Sequence, residues 1–347
     1  MMQSQGDGMA KPDWLVAIRR FEKVDTRRSL RELLNSILPY VAIFAAMYVV
    51  IRLRLPYWID LVMAIPAAGF LVRIFIILHD CGHYSFSNSP RVNAIFGYIC
   101  GVLTFNSFPD FRRSHAIHHA TVGNLDKRGT GDVWTMTMGE YRKSSLGRRA
   151  LYRFVRNPVV LFLFLAPLDF LVLARFPHSY SRRSDVIGTM GTNLALAGIV
   201  TAAALTMGIG PYLAIQGPIM YVASAVGVWL FFIQHQFPSV YWVRDAEWSQ
   251  IKASLQGSSF YDLPPILRWF TGNIGFHHVH HLDPRIPNYM LKACAEATPE
   301  ARVVKPISLR EGFASLRLHL YDEEHGGLIS FREAKLRMPR VRNPKGS

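Results

Sequence analysis

The sequence predicts an all-α integral membrane protein: four transmembrane helices in two hairpins, with a helical cytoplasmic cap that holds a metal site built on histidines. Three observations support this fold class. Half of the 347 residues are hydrophobic, and four apolar runs approach or reach the roughly 20 residues that span a bilayer. The formal net charge is +15, and most basic residues lie outside these runs. Nine of the 13 histidines fall in three short clusters beside the runs.

The four long apolar runs are the predicted spans. They lie at residues 37–53, 57–78, 188–210 and 217–234. The second run contains Asp60 and Arg73 near its two ends, where such side chains can reach the interfaces. Two weaker runs are not expected to cross the membrane. Residues 94–105 are too few, and residues 158–174, interrupted by a proline and an aspartate, are expected to form an interfacial or half-inserted helix.

Charge predicts the orientation. The first 36 residues carry seven Lys or Arg and no secretory signal pattern, so the positive-inside rule keeps them in the cytoplasm. The links at 54–56 and 211–216 are short, and the second has no charge; both are expected outside, whereas the basic stretch 112–156 is expected inside. Residues 326–347 are expected to be loosely ordered. The predicted organisation is a basic segment 1–35, a central domain 36–299 and a cytoplasmic tail 300–347.

The histidine clusters read HDCGH, HAIHH and HHVHH. Residues i, i+3 and i+4 share one face of a helix, so each cluster can direct its rings to a common point. Imidazole suits iron, copper and zinc, and eight nitrogens fit two ions better than one. His278 lies off the shared face and is expected to be an outer-layer or surface group, and Cys81 is expected to be a spectator. The eight candidate ligands are His79, His83, His115, His118, His119, His277, His280 and His281.

These clusters, arranged HxxxH, HxxHH and HxxHH around two pairs of spans, resemble those of the membrane fatty acid desaturases and their hydroxylase and ketolase relatives. The resemblance covers residues 36–299. Within the family, the sequence is similar to the bacterial branch allied to the Δ12 (omega-6) acyl desaturases. It implies a di-iron centre with about nine histidine ligands, the ninth being His235 at the end of the fourth span. The segments that carry it are HDCGHYSFS, FRRSHAIHHATVGNLDKRGTGDVWTMT, FIQHQFPSVYW and GSSFYDLPPILRWFTGNIGFHHVHHLDPRIPNY.

Polar residues near the clusters are candidates for orienting the rings through their free N–H groups. Asp80 and Asp132 are the favoured carboxylates, with ordinary surface ion pairs as the alternative for each. Asn273 lies four residues before His277 and is expected to hydrogen-bond a metal-bound water. Further carboxylate candidates, with the same alternative, are Asp110, Asp126 and Asp283.

The resemblance implies an O2-dependent enzyme that introduces a cis double bond, most simply at Δ12 of a monounsaturated acyl lipid. Two alternatives stay open. A hydroxylase, ketolase or epoxidase would use the same metal site, and a membrane metal-binding protein would use it without catalysis. The candidate ligands lie at span ends rather than mid-membrane, which argues against transport. Arginines spread over many loops, without clustered aromatics, do not favour nucleic-acid binding.

A bent apolar tunnel must hold the acyl chain, and Trp134 and Phe276 are candidates for its wall. The chain shows no haem-binding His-Pro-Gly-Gly segment, because residues 324–327 lack the proline, and no cysteine cluster or dinucleotide fingerprint. An external electron donor is therefore expected, with ferredoxin favoured. The expected location is the inner membrane of a bacterium, with the active site and both termini cytoplasmic.

Overall fold

The computed structural model describes residues 12–337; residues 1–11 and 338–347, which belong to the predicted basic segment and tail, lie outside the described residues. The predicted all-α membrane fold class is confirmed, because four helices are long and apolar enough to cross a membrane. The helices are α1 Asp13–Ala17, α2 Thr26–Arg52, α3 Trp58–His83, α4 Pro90–Leu103, α5 Phe108–Thr121, α6 Met138–Lys143, α7 Leu146–Val155, α8 Ala166–Leu171, α9 Arg183–Thr206, α10 Ile209–His235, α11 Gln250–Gln256, α12 Pro265–Phe270, α13 His277–Leu282, α14 Asn288–Ala297, α15 Pro299–Arg302, α16 Leu309–Ala314 and α17 Phe331–Arg337. The strands are β1 Met136–Thr137, β2 Phe260–Tyr261, β3 Pro306–Ile307, β4 Leu320–Asp322 and β5 Gly327–Ile329.

Helices α2 and α3 form the first hairpin and are longer than the predicted spans. Asp25 caps α2, because its carboxylate accepts the backbone N–H groups of Arg27 and Arg28 at 3.0 and 3.2 Å. Helix α3 ends at His83, before Tyr84 takes a left-handed conformation with φ of 61°. At 26 residues α3 is about 39 Å long, which exceeds the hydrocarbon thickness of about 30 Å. The extra turns carry the first histidine cluster beyond the apolar part of the helix.

Helices α9 and α10 form the second hairpin, and here the predicted boundaries are wrong. The link predicted at 211–216 lies inside α10, and the predicted span 188–210 runs across the real turn. The chain turns at Gly208, whose φ is +90°, a conformation that glycine adopts without steric cost. Pro211 lies in the first turn of α10, where its missing N–H has no helical acceptor to lose, so the proline does not break the helix.

The two weaker apolar runs belong to bent helix pairs. Helices α4 and α5 meet at 101°, and α7 meets the segment Val160–Arg175 at 71°. Counting each pair as one broken span would raise the number of candidate spans to six. The predicted interfacial or half-inserted position of residues 158–174 stays a prediction.

The cap contains two small sheets. Strand β4 pairs in parallel with β1 and antiparallel with β5, and β2 pairs in parallel with β3. The prediction of loose order after residue 326 is wrong for residues 326–337, which form β5 and α17. Ile329 is buried and Phe331 partly buried against Tyr141 and Tyr152, so apolar burial holds the tail on the cap despite its basic composition.

Candidate metal centre

All nine candidate histidines converge, in two groups. In each group every residue offers a ligand atom, and these atoms lie within 4.8 Å of one another. Seven of the nine residues are buried. Neither group contains a carboxylate or Cys81 among the described residues. The first group is His79, His83, His115, His119 and His280; the second group is His118, His235, His277 and His281.

Helical spacing explains how four elements supply two groups. Each pair at i and i+4 enters one group together, because such residues lie one turn apart on the same face. The remaining histidine of α5, His118, joins the second group, although His115 and His119 belong to the first. In α13 the reverse holds, because His280 joins the first group while His277 and His281 belong to the second. The last turn of α3 serves the first group, and His235, the last residue of α10, serves the second. Helices α5 and α13 therefore each contribute to both groups.

The nitrogen separations suit metal coordination. In the second group the Nε2 of His235 lies 3.1 Å from that of His118 and 3.0 Å from that of His277. In the first group the Nε2 of His119 lies 3.1 Å from that of His115 and 3.0 Å from that of His280. Imidazole binds such ions at about 2.1 Å, and two bonds at right angles place their nitrogens about 3.0 Å apart. The residues present therefore fit two nitrogen-bound metal ions.

Partners on the outer nitrogens orient two rings of the second group. The Nδ1–H of His235 donates to the carbonyl oxygen of Gly257 at 2.9 Å, and the Nδ1 of His118 lies 3.2 Å from a carboxylate oxygen of Asp132. Because these oxygens only accept, both Nε2 atoms keep a lone pair directed into the group. Burial acts to raise the pKa of Asp132, but the hydrogen bond with His118, the electrostatic effect of His118 and His235 and the backbone N–H of Gly129 together lower the pKa.

Burial also determines the protonation state of the histidines in the third cluster. Desolvation holds the pKa of His277, His280 and His281 well below the usual value, and neighbouring histidines lower it further. These rings are therefore neutral near pH 7 and present lone pairs, which is the form that binds metal.

Asp80 reaches the first group through one contact. Its Oδ1 lies 3.5 Å from the Nδ1 of His79, while its Oδ2 accepts the backbone N–H and the side-chain amide of Asn288 at 3.0 and 2.9 Å. Asn288 lies 208 positions from Asp80 and belongs to no histidine cluster, so it is not among the predicted site residues. Its place at the start of α14 gives no spacing signal, so only the folded chain reveals this contact.

Two further polar residues, which the sequence pattern does not predict, hold the histidine-bearing helices. The hydroxyl of Ser254 donates to the carbonyl oxygen of His281 at 2.8 Å, and the side-chain amide of Gln250 donates to that of His119 at 3.2 Å. Both lie on α11, which packs on α13. Their hydrogen bonds fix the backbone of two histidine-bearing helices from outside.

Asn273 does not lie where helical spacing predicted. It adopts a φ of 56° in the turn before α13, which begins at His277, so the two residues do not share a helical face. Its side-chain amide donates to the carbonyl oxygen of Asn288 at 3.2 Å. This placement does not support the predicted bond to a metal-bound water.

His278 is buried, with 1 % of its surface exposed, so the alternative of a surface group is wrong. It belongs to neither histidine group, and its ring packs near Phe260 with a centroid separation of 5.7 Å. The helix turns it away from the ligand face, and the neighbouring β2 strand covers it.

The remaining carboxylate candidates form ion pairs away from the groups. Asp110 accepts from His178 at 2.7 Å, Asp126 pairs with Arg244 at 2.6 Å, and Asp283 lies 3.5 Å from Arg285. All three contact a basic side chain rather than a candidate ligand, which favours the ion-pair alternative. Asp110 and Asp283 are buried, however, so only Asp126 matches the surface ion pair that was predicted.

The two proposed tunnel residues lie apart. Trp134 packs edge-on against Tyr152 at 5.0 Å and lines a cleft of about 380 Å³ with Lys143 and Arg148, which we call the α6–α7 cleft. Phe276 stacks on Phe260 at 4.6 Å. Neither contact traces an acyl tunnel, so the tunnel wall stays a prediction.

The chain is similar in sequence to known fatty acid desaturases. The sequence model of a family described as "Fatty acid desaturase" matches residues 55–302. The chain is 42 % identical over 318 residues to a fatty acid desaturase of Bacillus subtilis, covering 92 % of this chain and 90 % of the relative. It is 26 % identical over 273 residues to the sn-1 oleoyl-lipid 12-desaturase of Synechocystis, covering 74 % of each chain. A chloroplastic sn-2 acyl-lipid omega-3 desaturase (ferredoxin) of Arabidopsis thaliana is 29 % identical over 275 residues, covering 72 % of this chain and 57 % of the relative.

Proposed function

Because the chain belongs to the fatty acid desaturase family, we propose that its two histidine groups hold two iron ions and that it introduces a cis double bond at Δ12 of a monounsaturated acyl chain esterified to lipid. The observation that carries the proposal is the convergence of nine imidazoles into groups of five and four. The name of the Synechocystis relative, an oleoyl-lipid 12-desaturase, supports the position and the carrier.

The iron ions, when bound, would supply the chemistry that no side chain has: O2, two electrons from the external donor, two protons from solvent and two hydrogens from adjacent methylenes would together give two waters and the double bond. The protein's own work is to hold the ligands and position the acyl chain. Gly257 and Asp132 fix the tautomers of His235 and His118. The four histidines of the third cluster, HHVHH, are only 1–2 % exposed, so bulk water has little access to the centre from this side.

The electron donor belongs to the same proposal. A chloroplastic relative carries ferredoxin in its name, and the net charge of +15 favours an acidic carrier through long-range attraction. We place the centre and both termini on the cytoplasmic side of a bacterial inner membrane, since the basic segments flank the histidine clusters rather than the short links.

Fatty acid profiling tests the proposal. The full chain is expressed in a desaturase-deficient host together with a ferredoxin and its reductase, and double bonds are located by derivatisation and mass spectrometry. We expect a new cis-Δ12 diene that is lost with His118→Ala. A double bond at another position contradicts the regiochemistry. A hydroxy, keto or epoxy product contradicts desaturation while keeping the metal centre.

A further inference from the structure

A second cleft, of about 450 Å³, lies between the first turns of α2, the middle of α3, α12 and α14. Five cations and one carboxylate line it, so its charge is strongly positive. We call it the cationic cleft. Its charged residues are Arg28, Arg31, Arg73, Arg268, Lys292 and Glu32.

Arg73 is the buried member of this cleft, with 4 % of its surface exposed. Its guanidinium lies 3.4 Å from Glu32, packs 4.1 Å from the ring centre of Trp269, and donates to the Trp269 carbonyl oxygen. Its Nε–H has no hydrogen-bond partner among the described residues. Arg73 also lines the cleft, so its guanidinium contributes a positive charge that the buried surroundings screen little.

Of the other cations, Arg268 pairs with Asp262 at 2.8 Å, whereas Arg28, Arg31 and Lys292 have weak carboxylate compensation or none among the described residues. Across residues 12–337 no carboxylate pairs with Arg28 or Arg31; Arg28 instead lies over the ring of Tyr289 at 4.4 Å. Lys292 pairs only with Glu296 on its own helix, at 3.6 Å with both side chains about half exposed or more, a contact of little energetic weight. The cleft therefore suits an anion that carries several acceptor oxygens.

The surroundings of the cleft are apolar and exposed, which indicates the kind of anion. On α12, Ile266 is 68 % and Trp269 39 % exposed, and on α2, Leu34 is 54 % and Leu38 61 % exposed. Cations beside exposed aliphatic and tryptophan side chains are typical of the bilayer interface, where headgroup phosphates lie above acyl chains. A soluble anion would not need this apolar rim.

A series of polar side-chain contacts connects the cationic cleft with the first histidine group. Asn273 lines the cleft and donates to the carbonyl oxygen of Asn288. The side-chain amide of Asn288 lies 3.0 Å from a carboxylate oxygen of Glu32 and 2.9 Å from one of Asp80. Asp80 in turn approaches His79 at 3.5 Å. The cleft and the metal centre thus share one set of ordered side chains.

We propose that the cationic cleft binds the phosphate of a membrane phospholipid whose acyl chain is the substrate. The inference rests on the proposed function and specifies its carrier: a phospholipid, recognised by its phosphate through Arg73 and the surrounding cations. The phosphates of coenzyme A have the same chemistry, so the test must separate the two sources.

The double variant Arg31→Gln/Lys292→Gln removes two exposed cations of the cleft without touching the metal centre or the buried Arg73. The matched control Lys143→Gln/Arg148→Gln removes two exposed cations from the α6–α7 cleft, so both proteins have the same net charge. Native mass spectrometry of the purified full chain in detergent then measures binding of dioleoyl-phosphatidylglycerol, of dioleoylglycerol, and of phosphatidylglycerol in the presence of coenzyme A.

We expect the cleft variant to bind phosphatidylglycerol about tenfold more weakly than the parent protein, and the control to bind within about twofold. Dioleoylglycerol, which lacks the phosphate, should bind weakly to all three proteins. Equal losses in both variants, or equal affinity for dioleoylglycerol, would overturn the proposal. Displacement of the lipid by equimolar coenzyme A would overturn the lipid source. Binding is measured without turnover, so its failure is distinguishable from failure of the desaturase assay.

Discussion

His118 and His278 are both buried, with 0 % and 1 % of their surfaces exposed, yet their environments differ. His118 places its Nε2 3.1 Å from that of His235 and its Nδ1 3.2 Å from Asp132. Neither ring nitrogen of His278 has a side-chain or backbone partner that meets hydrogen-bond geometry among the described residues. Burial alone therefore does not identify a ligand, whereas nitrogen geometry separates the two residues.

His118→Ala should abolish product, because it removes a nitrogen that no neighbour replaces. His278→Ala should retain activity and lower stability by roughly 1–3 kcal/mol, since it leaves a cavity beside Phe260. Product formation, iron per purified chain and the amount of protein in the membrane check both variants. Full activity in His118→Ala would remove the metal assignment.

Asp132→Asn should lower iron affinity or turnover about 10- to 100-fold, because an amide no longer fixes the His118 tautomer. Asp126→Asn is the matched control, since Asp126 pairs with exposed Arg244 on the surface. Iron retention during dialysis against a chelator measures the effect. Equal retention in the two variants would show that Asp132 does not position the ring.

At the scale of elements, close contact between α9 and α5 sets the position of the second histidine cluster. Gly188 faces Pro109, and a Cβ at Gly188 would lie 2.5 Å from the Pro109 ring. Pro109 lies in the first turn of α5, six residues before His115, the first histidine of that helix. A rigid proline ring cannot yield, so only glycine permits this approach.

Gly188→Ala should therefore lower the thermal midpoint and the activity, because α9 must move away from α5. Gly191→Ala, one turn along the same helix, is the control: its Cβ would meet no atom within 4 Å, and alanine favours the helix by about 1 kcal/mol. Thermal unfolding of both variants in the same detergent checks the difference. A similar decrease in both would locate the effect in lipid contact rather than in the α5–α9 contact, because helix propensity alone would raise the stability of both variants.

Helical periodicity predicted much of the site and missed what depends on tertiary contacts. The spacing of His115, His118 and His119 placed them on one face, as the structure has them. His118 joins a different group from His115 and His119 because α10 and α13 approach α5 on that side. This approach is a tertiary contact, so no local sequence pattern predicts it. Asn288 was missed for the same reason, and Asn273 was misplaced because its turn ends the helical spacing.

At the scale of the whole molecule, the predicted arrangement has both histidine-bearing hairpins entering from one side. The links at Leu53–Tyr57 and Met207–Gly208 lie at the far ends of these hairpins from the histidines. Sequence charge predicts that both links lie outside, and this orientation stays a prediction. The apolar runs placed the second link at 211–216, whereas the chain turns at Met207–Gly208.

Cysteine labelling tests this orientation. Leu55→Cys should react with a membrane-impermeant maleimide added to intact cells, because Leu55 lies in the first link and is 46 % exposed. Lys305→Cys, an exposed residue of the cap, should react only after lysis. Background should be low, since Cys81, Cys100 and Cys294 are buried. The reverse pattern would invert the topology.

Helices α5 and α13 each give histidines to both groups, so the two ion sites share their scaffold. The first ion to enter would order these helices and thereby remove part of the entropic cost for the second. Loading should then be cooperative, with few chains at a stoichiometry of one. A mutation that disrupts either helix should therefore remove both ions together, and no stable form with a single ion is expected.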